Sequence, residues 1–218
     1  MSPARKVHAK RRHTHNKRWI IVGVGMLLIV TLVTVAYIKF PISTNSTNGS
    51  NLISSDPAFT TFTNHYLTIM KNLNSTQTKT AMASQFNLNY NQTDLFTWEA
   101  TKLTFNQSQI GWYEDPIQIL GDGRGICVQW SVVYVSACLS LGYESRLVVA
   151  ANTNWNFIHV WAEDYYNGSW VHVDPSDKVW NNPSKYQIWG WGNIGTDVKI
   201  YAFEDGTFQD VTSTYSAH

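Results

Sequence analysis

The sequence holds only two cysteines, few charges and no internal repeat. Two cysteines allow one disulfide at most, so no disulfide framework holds this fold. Charged residues make up 14% of the chain, low for a cytosolic enzyme, while 44% is hydrophobic and 14% aromatic, enough to build a core. Acid is missing from the first 18 residues, which carry seven Lys or Arg: Arg5, Lys6, Lys10, Arg11, Arg12, Lys17 and Arg18. Charge of either sign is missing from Trp19 to Ile38. The overall charge of +1 therefore hides two unlike parts, because from Pro41 onward eight basic residues face fifteen acidic ones, a net of −7. An acidic body excludes the basic footprint that phosphate binding requires, so nucleic acid is not an expected partner.

Twenty uncharged, mostly apolar residues at about 1.5 Å each span roughly 30 Å, the thickness of a bilayer core. A cleaved signal peptide is the alternative, but its apolar stretch is usually about 7–15 residues with small residues at the cleavage site. Tyr37-Ile38-Lys39-Phe40-Pro41 does not resemble such a site. The spacing therefore predicts a basic cytoplasmic tail over 1–18, a transmembrane anchor over 19–40, a flexible linker over 41–55 and a catalytic domain over 56–218. The basic run beside the span places that domain outside the cytoplasm. A nucleic-acid tail is the other reading of the basic run, and the adjacent span disfavours it. Six Asn-x-Ser/Thr sequons, at Asn45, Asn48, Asn74, Asn91, Asn106 and Asn167, all follow the span. They are consistent with an external domain, although chance in an Asn-, Ser- and Thr-rich segment also yields them.

Within the domain, Asp56 and Pro57 form a helix start, followed by Phe59, Phe62, Tyr66, Leu67, Met70 and Leu73 at helical spacing. Residues 95–120 read as mixed, with a second helix and a loop around Trp112. The glycine-rich turn Gly121–Gly125 leads into an apolar helix from Cys127 to Leu141, which Gly142 ends. Strands are expected at Ser145–Ala150, Phe157–Asp164, Ser169–Asp174 and Lys199–Phe203. A cysteine-bearing helix followed by an antiparallel sheet is an α+β pattern.

Cys127 opens its helix, where the positive end of the macrodipole favours a thiolate, and its amide is placed to stabilise an oxyanion. The glycines before it are expected to admit a substrate carbonyl close to the backbone. A structural cysteine is the plain alternative. Pairing with Cys138 is excluded by geometry if both lie on one helix. Eleven positions span about 16 Å, whereas bridged Cα atoms lie within about 7 Å. Cys138 reads as core.

Asn167-Gly168 between two alternating runs signals a two-residue hairpin. Its register pairs Tyr166 with Ser169, Tyr165 with Trp170, Glu163 with His172 and Trp161 with Asp174. One face then carries His159, Trp161, Glu163, Tyr165, Trp170, His172 and Asp174, and reads as polar. The other carries Ile158, Val160, Ala162, Val171 and Val173, and reads as core. His159 and Asp174 become diagonal neighbours, the relation of a base to its orienting acid. A one-residue change of turn length would undo this, and His172 is the alternative base.

Gly-Arg-Gly-Ile-Cys127-Val-Gln-Trp130, Leu141-Gly142-Tyr143-Glu144-Ser145-Arg146, His159-Val-Trp161-Ala-Glu163 and Trp170-Val-His-Val-Asp174-Pro175 together resemble the core of the transglutaminase-like superfamily. Asp174-Pro175-Ser-Asp177, Asn182-Pro183, Tyr186, Gly190-Trp191-Gly192, Tyr201-Ala202-Phe203 and Asp210 to Tyr215 resemble its peptide:N-glycanase branch. The resemblance covers about residues 95–215. It implies a papain-like core with Cys127 as nucleophile, His159 as base and Asp174 as orienting acid. It also implies a tryptophan aiding the oxyanion hole, for which Trp112 and Trp98 are the candidates. Trp130 and Trp161 are further candidates for substrate contact. The paired CxxC zinc ligands of that branch are absent, so neither a metal nor another cofactor is expected. The implied activity is thiol-dependent hydrolysis of an amide in an extracytoplasmic protein or glycoprotein. Two alternatives stay open: an acyltransferase that cross-links Gln to Lys, and a non-catalytic module binding glycan or protein on an aromatic platform of Trp180, Trp189 and Trp191.

Overall fold

The computed structural model describes residues 56–107, 114–188 and 190–216. The expected tail, anchor and linker lie outside the described residues, as do Trp112 and Trp189. Among the described residues, no helix is long and apolar enough to cross a membrane.

Helix α1 (Pro57–Leu73) begins as its sequence indicates. Asp56 accepts a hydrogen bond from the Ala58 amide at 2.9 Å, and Pro57 occupies the first turn, where no amide is needed. Its buried stripe is Phe59, Phe62, Thr63, Tyr66, Ile69, Met70 and Leu73. Two short helices follow, α2 (Thr76–Ala83) and α3 (Gln92–Glu99). Periodicity does not mark α2, which buries only Met82, while α3 opens on an Asn91–Asp94 capping box and overlaps the start of the stretch where a second helix is expected. Strand β1 (Thr104–Phe105) runs parallel to β2 (Arg124–Gly125), with α4 (Pro116–Asp122) between them in sequence. Gly123 ends α4 at φ +70, a left-handed cap that glycine adopts without strain.

Helix α5 (Cys127–Ser140) is buried at every position from Cys127 to Cys138. A helix apolar all round must be enclosed, and α5 is enclosed by the other helices on one side and the sheet on the other. Ser131 Oγ lies 2.8 Å from the Cys127 carbonyl oxygen and 3.0 Å from that of Val160, tying the first turn of α5 to the sheet.

The sheet comprises β3 (Ser145–Asn152), β4 (Phe157–Tyr166), β5 (Ser169–Asp174), β6 (Val179–Trp180), β7 (Val198–Glu204) and β8 (Thr207–Asp210). Its order is β6-β5-β4-β3-β7-β8, antiparallel throughout. The β4–β5 hairpin has the expected register: Tyr166 faces Ser169, Tyr165 faces Trp170 and Glu163 faces His172. Asn167 and Gly168 both take positive φ, 51° and 87°, as a turn matched to strand twist requires.

The second face of the sheet departs from expectation. Val160, Ala162, Val171 and Val173 pack toward α5, but the opposite face is not wet. Val148, Ala150, Trp161, Ile200 and Ala202 form a second core there with Tyr186, Val211 and Tyr215. Tyr186 comes from a 3-10 helix (Pro183–Ile188), and Tyr215 from α6 (Thr212–Ser216). Ile158, expected beside Val160, packs against this second core. The register between β3 and β4 shifts after Ala150, and this bulge turns the start of β4.

Candidate active site

The first turn of α5 positions Cys127. Gln129 Oε1 accepts from the Ile126 amide at 3.1 Å, so its side chain folds back over the helix start. This explains Gly125. A Cβ there would sit 2.5 Å from Gln129 Cβ, so the glycine makes room for the helix's own first turn, where the sequence suggested room for a substrate. The amides of the first turn have no partner within the helix and point along its positive end.

Strand β4 brings His159 to the same place. Its Nε2 lies 2.6 Å from Asp174 Oδ2, and the Cys127 side chain also hydrogen-bonds the ring. Trp161 stacks beside the imidazole, with centroids 5.8 Å apart and planes at 23°. Burial alone would draw the imidazolium pKa down. The bonds to Asp174 and Cys127 outweigh it and raise the pKa to about 9. Asp174 is fully buried, which favours its neutral form. That effect is overcome by His159, by Ser176 Oγ at 2.7 Å and by Tyr186, whose hydroxyl donates to Oδ2 at 2.8 Å. The Asp177 amide also donates, at 3.1 Å, and the carboxyl stays below its ordinary range.

Cys127 and His159 are each 8% exposed, and both open onto a cleft of about 490 Å³. Phe105 and Ile126 line it, as do Phe157 and Ile158, with Gln107, Ser176 and Asp177 as its polar groups. Among the described residues, no cluster of three or more His, Cys, Asp or Glu could hold a metal ion.

The structure therefore brings Cys127, His159 and Asp174 together. His172 does not line the cleft on which Cys127 opens. It is buried and bonds through Nε2 to the Tyr186 hydroxyl. The tryptophan candidates divide. Trp98 sits in the helical core edge-on to Phe86 and does not line the cleft. Trp130 is likewise core, one turn along α5 from Cys127. Trp161 is fully buried behind His159, its Nε1 donating to Tyr215. Cys138 is a free, fully buried thiol near the far end of α5. Sequence reasoning gave no role to Tyr186, Ser176, Phe105 or Phe157. Tyr186 stood in the resembling segment, but nothing local tied it to Asp174.

A family model for the transglutaminase-like superfamily matches residues 72–175, a stretch that includes all three of Cys127, His159 and Asp174. These residues form a transglutaminase-like domain. Curated relatives point to one branch. Peptide-N(4)-(N-acetyl-beta-glucosaminyl)asparagine amidase of Oryza sativa subsp. japonica is 32% identical over 135 residues, covering 61% of this chain and 28% of that one. The Gallus gallus enzyme of the same name is 35% identical over 106 residues, covering 48% and 15%. The chain thus matches under a third of the length of either relative, and the match is consistent with the peptide:N-glycanase branch. Rad4–Rad23 crosslinked to undamaged DNA is similar in fold alone, at TM-score 0.53 and 12% identity, over 72% of this chain and 47% of that one.

Proposed function

We propose that this chain is a cysteine amidohydrolase of the peptide:N-glycanase-like kind, acting on protein or glycoprotein. The observation that carries the proposal is the His159 ring, bonded to both Asp174 and Cys127, with Cys127 and His159 lining one cleft. In the first step the Cys127 sulfur, its proton held by His159, attacks the amide carbonyl carbon. The developing oxyanion accepts hydrogen bonds from amides of the first turn of α5. The C–N bond breaks, His159 passes its proton to the leaving nitrogen, and a thioester remains on Cys127. Water then attacks the thioester, giving its proton to His159. A carboxylic acid leaves and the thiol is restored. Asp174 holds the imidazole in one tautomer throughout.

The aromatic-platform alternative finds no support in packing. Trp180 packs with Phe96 and Tyr166, whereas Trp191 packs with Tyr186 and His159, in a different core. Mass spectrometry tests the reaction, after incubation with a glycopeptide and with a Gln peptide plus a primary amine. Release of glycan or ammonia with conversion of the amide to acid is expected. Amine incorporation in place of hydrolysis would make the chain an acyltransferase, and no Cys127-dependent change on any substrate would overturn the reading.

We further propose that Trp19–Ile38 anchors the domain outside the cytoplasm. The support is the uncharged run and its basic flank. Protease applied to intact cells should remove a C-terminal epitope, and protection of that epitope would overturn the assignment.

A further inference from the structure

Behind Asp174 lies a second set of buried polar groups that the reaction scheme does not use. Tyr186 Oη donates to Asp174 Oδ2 at 2.8 Å, and His172 Nε2 lies 2.5 Å from the same hydroxyl. A phenol has one proton to give. If it goes to Asp174, the contact with His172 must be an N–H donated to Tyr186. The other nitrogen fits this tautomer. His172 Nδ1 is buried without a hydrogen-bond partner, which a bare lone pair tolerates better than an N–H would. Hydrogen bonds therefore run in one direction, from His172 to Tyr186 to Asp174, and each donor polarises the next.

We infer that Tyr186 and His172 are positioning residues of the Cys127 site, forming a buried donor chain that ends on Asp174 and holds its carboxylate for His159. The inference rests on the proposed function for its purpose but not for its geometry. The same oxygen, Oδ2, receives both Tyr186 and His159. A change in the hydroxyl therefore acts on the one atom that faces the imidazole.

The surroundings explain why the chain works in a neutral form. Burial draws the His172 pKa down to about 4, so the ring carries no charge near neutrality. Around it stand Glu163 opposite on β4, Tyr215 of α6, Trp161, and Lys185 of the 3-10 helix, with Asp174 and His159 beyond. Glu163 is already taken by Arg146 at 2.7 Å and by Tyr215 at 2.6 Å. Facing Asp174 are His159 from β4, Ser176 and Asp177 from the following turn, Tyr186 and, through space, Glu99 of α3. Among these Tyr186 carries a hydrogen bond onward to His172.

The test follows the titration of His159 by NMR in the full chain held in detergent, with the His159 signal assigned by its loss in His159→Ala. Alkylation of Cys127 by iodoacetamide is followed over the same pH range. Wild-type His159 should titrate near pH 9. Tyr186→Phe should raise that midpoint by about one pH unit, because Asp174 loses a donor that spreads its charge and becomes a more basic partner for the imidazolium. His172→Leu should shift it less, and His172→Gln, which keeps an N–H, should move it back toward wild type. Tyr215→Phe is the structural control: it removes a hydroxyl from the same core and should lower the melting temperature without moving the titration. If Tyr186→Phe and Tyr215→Phe both melt earlier and both titrate like wild type, Tyr186 is packing alone and the inference fails. A wild-type Cys127 that resists alkylation would sink the proposed reaction instead, and the His159 midpoint would still decide the donor chain.

Discussion

The two ends of α5 carry the same side chain in opposite surroundings. At the first turn Cys127 meets a histidine, the amides of a helix start and an open cleft. Near the last turn Cys138 meets an acid. Its sulfur lies 3.9 Å from Asp164 Oδ2, which also accepts from Tyr134 at 2.5 Å. Burial pushes the Cys138 thiol well above its ordinary range, and the nearby Asp164 and Glu99 push it further. One helix thus holds a cysteine beside a cation and a cysteine beside carboxyls. Sequence spacing alone does not make a thiol chemically useful; the sheet residue brought opposite it does.

The largest effect that tests this contrast is loss of activity. Cys127→Ala and His159→Ala should each abolish turnover while leaving the far-UV circular dichroism unchanged, whereas Cys138→Ala should keep turnover within about twofold in the same assay. Next, Asp174→Ala should reduce kcat roughly 10²–10⁴-fold, because it removes orientation and leaves the nucleophile and base in place. A smaller but direct contrast is chemical. Iodoacetamide should modify Cys127 at least about 10²-fold faster than Cys138, since Cys138 must wait for the helix to open. Peptide mapping after timed alkylation gives both rates, and equal rates would erase the difference between the two ends.

The smallest effect concerns Asp164. Burial raises its pKa to about 6, above the ~3.9 of an unfolded Asp. The folded state then binds the proton more tightly than the unfolded one. The resulting stability is fully present below about pH 4 and is lost as pH rises through 6, by roughly 3 kcal/mol for a shift of two units. Asp164→Asn keeps an acceptor for Tyr134 and has no such proton to lose. Urea unfolding from pH 4 to 7 should therefore show wild type weakening relative to the variant, and parallel curves would disprove the buried titration.

Much of this was legible in the sequence, and the particular residues show why. The Asp56–Pro57 start, the run from Cys127 to Gly142 and the Asn167-Gly168 turn are local signals with local causes. The turn fixed the register of β4 against β5, and register carried His159 to Asp174. The rest depends on segments far apart in the chain. Alternation along β4 showed Trp161 and Glu163 on one face but could not tell that Tyr186 and Tyr215 would cover it, since neither sits in a periodic run. The bulge after Ala150 left no mark that would have reassigned Ile158. Gly125 reads from the sequence as room for a substrate, and spacing does not reveal its close contact with Gln129 four residues later. Trp98 fitted a family expectation about an upstream tryptophan but folds into the helical core.

Asp56 has a consequence beyond capping. Its Oδ1 starts α1, and its Oδ2 accepts from Trp155 Nε1 at 2.6 Å, in the loop just before Phe157 and Ile158 of the cleft wall. The residue where the chain enters the domain is therefore clasped to the rim of the cleft. A recombinant domain begun at Pro57 would lose both bonds at once, whereas one begun a few residues earlier would retain them. If residues before Asp56 tether the domain to a surface, tension on that tether reaches the cleft wall through the Asp56 carboxylate and through Phe59 and Phe62, which pack on the same Trp155.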